Sequence, residues 1–181
     1  NKKQIIALLF SCLLLATFYL LPVGSVFADY VLPYPSYMPG NKMYTVSRMI
    51  DKIKKYWYWG SIGGMKYHLS LSDKYLVEAK TLFEYKQYLL AADALLRSNK
   101  EFQEVPRFLV QAKDEGKDTS VLEQTVKDAG NVHISVLEVL KAQLPAEFTW
   151  TPEKTAPTIL PISTLIDTSI KIRGHARDSR N

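Results

Sequence analysis

Apolar positions recur along the chain at spacings of three and four, the period of one face of an α-helix. The first stripe is Met43, Val46, Ile50, Ile53 and Trp57, with Arg48, Asp51, Lys52, Lys54 and Lys55 off it. Asn41 follows the helix-breaking pair Pro39-Gly40 and is placed to cap the start. Gly60, Gly63 and Gly64 mark a loop after it. A second stripe runs through Met65, Leu69, Ser72, Leu76, Ala79 and Phe83, with one polar gap at Ser72. The alternating LSLS at Leu69 to Ser72 also fits a short strand, but the helical register on both sides favours a helix. The stripe breaks near Glu84 and restarts as Tyr85, Leu89, Ala92 and Leu96, widened by Tyr88, Leu95 and Phe102. Two helices joined this tightly form an αα-hairpin whose arms bury each other's stripes. Pro106 ends the second arm or kinks it. Asp114 to Asp118, DEGKD, is a polar turn. Thr119 or Ser120 can cap the next helix, with Glu123 spaced for a capping box with Ser120. That helix carries Leu122, Val126, Ala129, His133, Val136 and Leu140, and Pro145 ends it.

Pro145, Pro152, Pro157 and Pro161 then crowd one stretch, which predicts an extended, partly polyproline-like linker. Ile159 to Ile172 is apolar again. Ile162, Leu165, Ile166 and Ile170 fit a short docked helix, and the many β-branched residues fit a strand. The end, RGHARDSRN, reads as a solvated tail. The expected fold is all-α: a small helical bundle built around an αα-hairpin, with an extended Pro-rich N-terminal segment and a Pro-rich C-terminal tail.

The N-terminus changes where this fold is expected to reside. Lys2 and Lys3 precede a run from Ile5 to Val23 with no charge, and Val26-Phe27-Ala28 offers small residues at the −3 and −1 positions. This predicts a signal peptide over residues 1–28, cleaved after Ala28. The run is also long enough to span a bilayer, so an uncleaved anchor is the alternative. Both put the rest outside the cytoplasm, secreted or extracytoplasmic. Cys12 is the only cysteine, and a lipobox reading fails on the bulky Phe10 and on the apolar run that continues past it. The remaining chain would then hold no disulfide and fold by core packing alone. It divides into a helical domain at 29–144 and a Pro-rich linker with a C-terminal segment at 145–181. Net charge falls from +5 to +3 once Lys2 and Lys3 are removed. That balance suits weak attraction to anionic envelope polymers and does not argue for nucleic acid.

Between leader and first helix lies VLPYPSYMPG, Val31 to Gly40. A spacer would be rich in Gly, Ser and charge. Leu32, Tyr34, Tyr37 and Met38 are large and apolar instead, and three prolines restrict the free segment. It is expected to lie against the hairpin as an ordered clamp, with both tyrosine hydroxyls at the edge.

The order of these features resembles a bacterial extracytoplasmic helical domain of unknown function that starts near a Leu-Pro segment. Leu32-Pro33, Pro39, Met43-Tyr44 and the run Asp73 to Leu82, DKYLVEAKTL, carry the resemblance, with Tyr85 to Arg97 as the second arm. It covers roughly residues 31–100. It implies a fold and an extracytoplasmic location, and no catalytic residue.

Chemistry-bearing constellations are few. His133 sits on an apolar stripe without partners at metal-ligand spacing, and His68 and His175 are isolated; a satisfied core histidine is the expectation. There is no Gly-x-Ser-x-Gly elbow and no Ser-x-x-Lys motif. Asp73, Glu78 and Glu84 alternate with Lys74, Lys80 and Lys86 as on a solvated helix face. Gly60-Ser61-Ile62-Gly63-Gly64 lacks the ending of a phosphate loop. The unusual run is Tyr56-Trp57-Tyr58-Trp59. Trp57 continues the core stripe, while Tyr56, Tyr58 and Trp59 are the candidate binding surface. The expectation is a non-catalytic protein-interaction or structural module of the envelope, with no metal and no cofactor, using helix faces and the C-terminal segment as contacts to another envelope protein. The alternative is a binder of cell-wall glycan or membrane surface through the exposed aromatic residues.

Overall fold

The structure is a computed structural model that describes residues 30–154 and 156–178. The signal peptide expected over residues 1–28, and Cys12 with it, lie outside the described residues. The elements are α1 (Lys42–Lys54), α2 (Gly60–Glu84), α3 (Tyr88–Asp114), α4 (Ser120–Gln143), β1 (Phe148–Trp150), β2 (Thr158–Leu160) and α5 (Ile162–Asp178). The fold is all-α apart from the two short strands, and α2 and α3 form the expected αα-hairpin.

The α2 stripe is buried along its whole length, Met65, Leu69, Ser72, Leu76, Ala79 and Phe83 included. The turn after it is tight. Lys86 adopts φ 57°, and Gln87 N–H donates to the Leu82 carbonyl at 2.8 Å. That left-handed residue reverses the chain in the way a C-terminal glycine usually does.

The expected face of α3 is buried only in part, at Ala92, Leu95 and Phe102. Ala91, Leu95, Ser98, Phe102 and Val105 are buried, whereas Tyr85, Leu89 and Leu96 face water. The Leu-rich start of α3 is apolar on two sides, and the small residues Ala91 and Ser98 let the helix approach α2 closely. Pro106 does not end α3, which continues to Asp114. The expected loop at Gly60 to Gly64 is the first turn of α2. Gly64 is there for space: a Cβ on it would come within 2.4 Å of the Phe108 ring. At the start of α4 the capping box is replaced. Asp118 Oδ1 accepts the Ser120 N–H at 2.9 Å, and Thr119 Oγ1 bonds to Glu123 Oε1 at 2.7 Å.

The Pro-rich stretch is a hairpin rather than a linker. β1 and β2 pair antiparallel, with Phe148 opposite Leu160 and Trp150 opposite Thr158. The prolines fall outside the strands, so they do not interrupt the ladder. Pro161 then starts α5. Its face Ile162, Ile166, Ser169 and Arg173 is fully buried. The expected solvated tail is therefore core at Arg173. The C-terminal segment, expected as a linker and tail, thus buries this face inside the bundle.

Four helices thus enclose two apolar clusters in succession. One holds Leu76, Phe83, Leu95, Leu137, Ile162 and Ile166; the other holds Met65, Leu69, Phe102, Val105, Val126 and Ala129. Each fully buried leucine, isoleucine or phenylalanine contributes roughly 1.5–3 kcal/mol. Between the clusters runs a polar layer.

Candidate functional site

The polar layer takes side chains from every helix of the core. Ser72 and Asp73 come from α2, Ser98 and Asn99 from α3, His133 from α4, Ser169 and Arg173 from α5; all are buried. Arg173 Nε donates to His133 Nδ1 at 3.1 Å, so Nδ1 is the acceptor and the ring is neutral. Nε2 then donates to Asp73 Oδ1 at 2.8 Å. Burial lowers the His133 pKa, against the pull of the Asp73 hydrogen bond. Tyr30 caps the other oxygen, its hydroxyl donating to Asp73 Oδ2 at 2.5 Å. Burial and the same carboxylate raise the Tyr30 pKa far above its usual value, so it stays a donor. Three further Arg173 N–H groups go to Asn99 Oδ1 at 2.5 Å, the Ser169 carbonyl at 3.0 Å and Ser98 Oγ at 2.8 Å. Among the described residues no buried side-chain polar atom lacks a partner.

An Asp–His pair invites a catalytic reading, but this one is enclosed. Both imidazole nitrogens are engaged inside the protein and His133 has no exposed surface. The expected satisfied core histidine is what the fold holds. Asp73 and Glu78, expected on a solvated face, are buried instead, while Lys86 and the Lys80–Glu84 pair at 2.5 Å are at the surface.

The open site is α1. Its docked face is polar: Tyr44, Ser47, Arg48 and Asp51 turn inward. Tyr44 O–H donates to Glu78 Oε1 at 2.8 Å and receives Arg97 Nη1 at 2.9 Å. Lys74 Nζ donates to Ser47 Oγ at 2.9 Å and pairs with Asp51, while Tyr67 O–H donates to the Asp51 carbonyl at 3.0 Å. Burial raises the pKa of Glu78, with the Tyr44 hydrogen bond opposing the shift. No residue of α1 joins a buried apolar cluster.

The stripe expected in the core therefore faces outward. Met43, Val46, Ile50 and Ile53 are each about half exposed, and Trp57 is 79% exposed. Of the candidate binding residues, Tyr56 is 79% and Trp59 84% exposed. Tyr58 is the least exposed of the run and leans on Tyr67, ring centres 5.8 Å apart. More than half of the exposed large hydrophobic side chains among the described residues fall between Val31 and Trp59. The proline-rich segment adds to this surface as much as it clamps. Leu32 and Met38 pack against the core as expected, but Tyr34 is 96% exposed and Tyr37 half exposed. A groove of about 570 Å³ separates that segment from α1, walled by Val31, Pro33, Met43, Val46 and Ile50. A second hollow of about 420 Å³ lies among Ile50, Ile53, Lys54, Trp57 and Tyr58.

Periodicity identified α1 as amphipathic but could not say which face docks. The signal lay in its polar residues: Tyr44, Ser47, Arg48 and Asp51 share a face as regular as the apolar one. No helix among the described residues is long and apolar enough to cross a membrane. No family model, curated protein or solved structure matches the chain.

Proposed function

We propose that the protein is an exported, non-catalytic component of the envelope that works by binding, and that its binding face is the outer side of α1 with the Tyr56–Trp59 run. The observation that carries this reading is the orientation of α1. Its apolar stripe has the spacing of a core face, yet hydrogen bonds and the Asp51–Lys74 ion pair hold the opposite face against the hairpin. A contiguous apolar surface of this kind marks an interaction site. The pins from Tyr67, Lys74 and Glu78 make the helix preformed, so a partner need not order it. Export rests on Lys2 and Lys3 ahead of the uncharged run and on Val26 and Ala28 at the cleavage positions. A second reading, a surface of lipid or wall polymer in place of a protein, is favoured by the basic rim of the same face.

Ile53 and Val139 are equally exposed, on α1 and on α4. A photo-crosslinking amino acid at either position, in cells exporting the protein, tests the reading. Adducts are expected from position 53 and not from 139. Silence at both, or equal labelling, would remove α1 as the binding face.

A further inference from the structure

Resting on α1 as the binding face, we infer that its partner is an anionic membrane surface, on which the helix lies flat with its apolar stripe in the interface. Charge names the partner. Residues Tyr30 to Trp59 hold five basic side chains and one acidic one, and that one, Asp51, is buried against Lys74. From Gly60 to Asn181 there are 16 basic and 16 acidic side chains. The excess positive charge from Tyr30 onward is thus confined to the part of the molecule that also carries more than half of its exposed large hydrophobic side chains among the described residues. At about 100° per residue, Lys42 and Lys54 border the stripe, while Lys52 and Lys55 lie towards the body; all four are exposed. Tyr56, Trp57 and Trp59 follow at the C-terminal end, and such rings settle at the headgroup level. A strongly amphipathic helix with a basic rim and tryptophan at its margin is the form that lies in a bilayer interface, and α1, with 13 residues, is too short to span one.

The other occupants fit less well. A second copy would bring two basic faces together. The uncharged run Ile5 to Val23 could cover the stripe but offers no acidic group to the lysines. A wall glycan would use the rings and leave the Met43–Ile53 stripe in water.

Full-length protein carrying Trp150→Phe keeps Trp57 and Trp59 as its only tryptophans. Their emission is followed with vesicles of phosphatidylglycerol or phosphatidylcholine whose acyl chains carry bromine. Phosphatidylglycerol vesicles are expected to shift the emission to the blue and quench it. A lysine near an anionic surface contributes roughly fivefold in affinity, so Lys42→Gln with Lys54→Gln, the two that border the stripe, weakens the effect roughly 25-fold. Ile50→Asp with Ile53→Asp abolishes it; if that variant does not fold, the exposed lysine variant decides. Absence of quenching, equal quenching by both lipids, or quenching that survives the lysine replacements overturns the inference. So does blue-shifted emission before vesicles are added, which would mean that the leader or a second copy already covers the face. Failure here with protein adducts from position 53 in cells leaves the binding face standing and changes the partner. Silence at position 53 removes both.

Discussion

His133 is the joint of the polar layer, because it separates Asp73 from Arg173 while satisfying both. A neutral ring between a buried carboxylate and a buried guanidinium lets each charge find a hydrogen bond without direct contact. Removing such a joint leaves two buried charged groups short of a partner, which costs about 3–5 kcal/mol. His133→Ala is therefore expected to lose about that much in urea unfolding at neutral pH. His133→Gln, which can donate to Asp73 and accept from Arg173, should lose clearly less. The ring also sets a pH dependence. Its folded pKa lies below the ordinary 6.5 because burial opposes the charged form. Below about pH 6.5 the unfolded chain takes up a proton that the folded one resists, so stability falls with pH from there down. The melting temperature of the parent should drop more between pH 7 and 5.5 than that of His133→Gln. Equal slopes would show that the buried ring does not govern this window.

Elements differ in how much of them the sequence reveals, and the reason is physical. The stripes of α2 and α4 are legible because their apolar residues at helical spacing are buried, although α2 also buries Tyr67, Leu71 and Tyr75 on a second face. Even their polar members, Ser72 and His133, mark the layer that crosses the core. In α3 the apolar residues occupy two faces, and only the small residues Ala91 and Ser98 show which side meets α2. For α1 the period is right and the direction wrong: spacing reports amphipathicity, while docking is decided by Glu78, Lys74 and Tyr67 on another helix. Prolines between Pro145 and Pro161 conceal a hairpin, since they flank its strands. The N-terminal segment is legible in part, because proline and large side chains imply order but do not say which rings are covered. Leu32 and Met38 pack on the core and Tyr30 anchors to Asp73. Deleting Asp29 to Met38 removes two half-buried apolar side chains and one cap of the Asp73 carboxylate. The loss is on the order of 3 kcal/mol. Calorimetry should show the truncated protein melting several degrees lower. Coincident melting curves would make the segment a tether.

At the scale of the molecule, the chain closes its core with its last helix. Ile162 and Ile166 enter the cluster of Leu76, Leu95 and Leu137, and Arg173 enters the polar layer, so both depend on residues far apart in sequence. The two contributions act together. Two fully buried isoleucines are worth about 1.5–3 kcal/mol each, and breaking the Asp73–His133–Arg173 chain costs about 3–5 kcal/mol. Their sum is comparable to the whole net stability of an ordinary domain, about 5–15 kcal/mol. A chain stopped at Pro161 should therefore do more than melt earlier. It would open the apolar cluster to water and leave Asp73 without its counter-charge, so no cooperative transition is expected in calorimetry, and the near-ultraviolet circular dichroism of the packed aromatic rings should be lost. Arg173→Met on the full chain separates the two parts. It keeps the isoleucines and removes only the charge, so a cooperative transition should remain at lower temperature. If the chain stopped at Pro161 melts sharply within about 10 °C of the parent, a shift of only a few kcal/mol for a domain of this size, then α2, α3 and α4 close the core by themselves and α5 is an addition to a finished bundle.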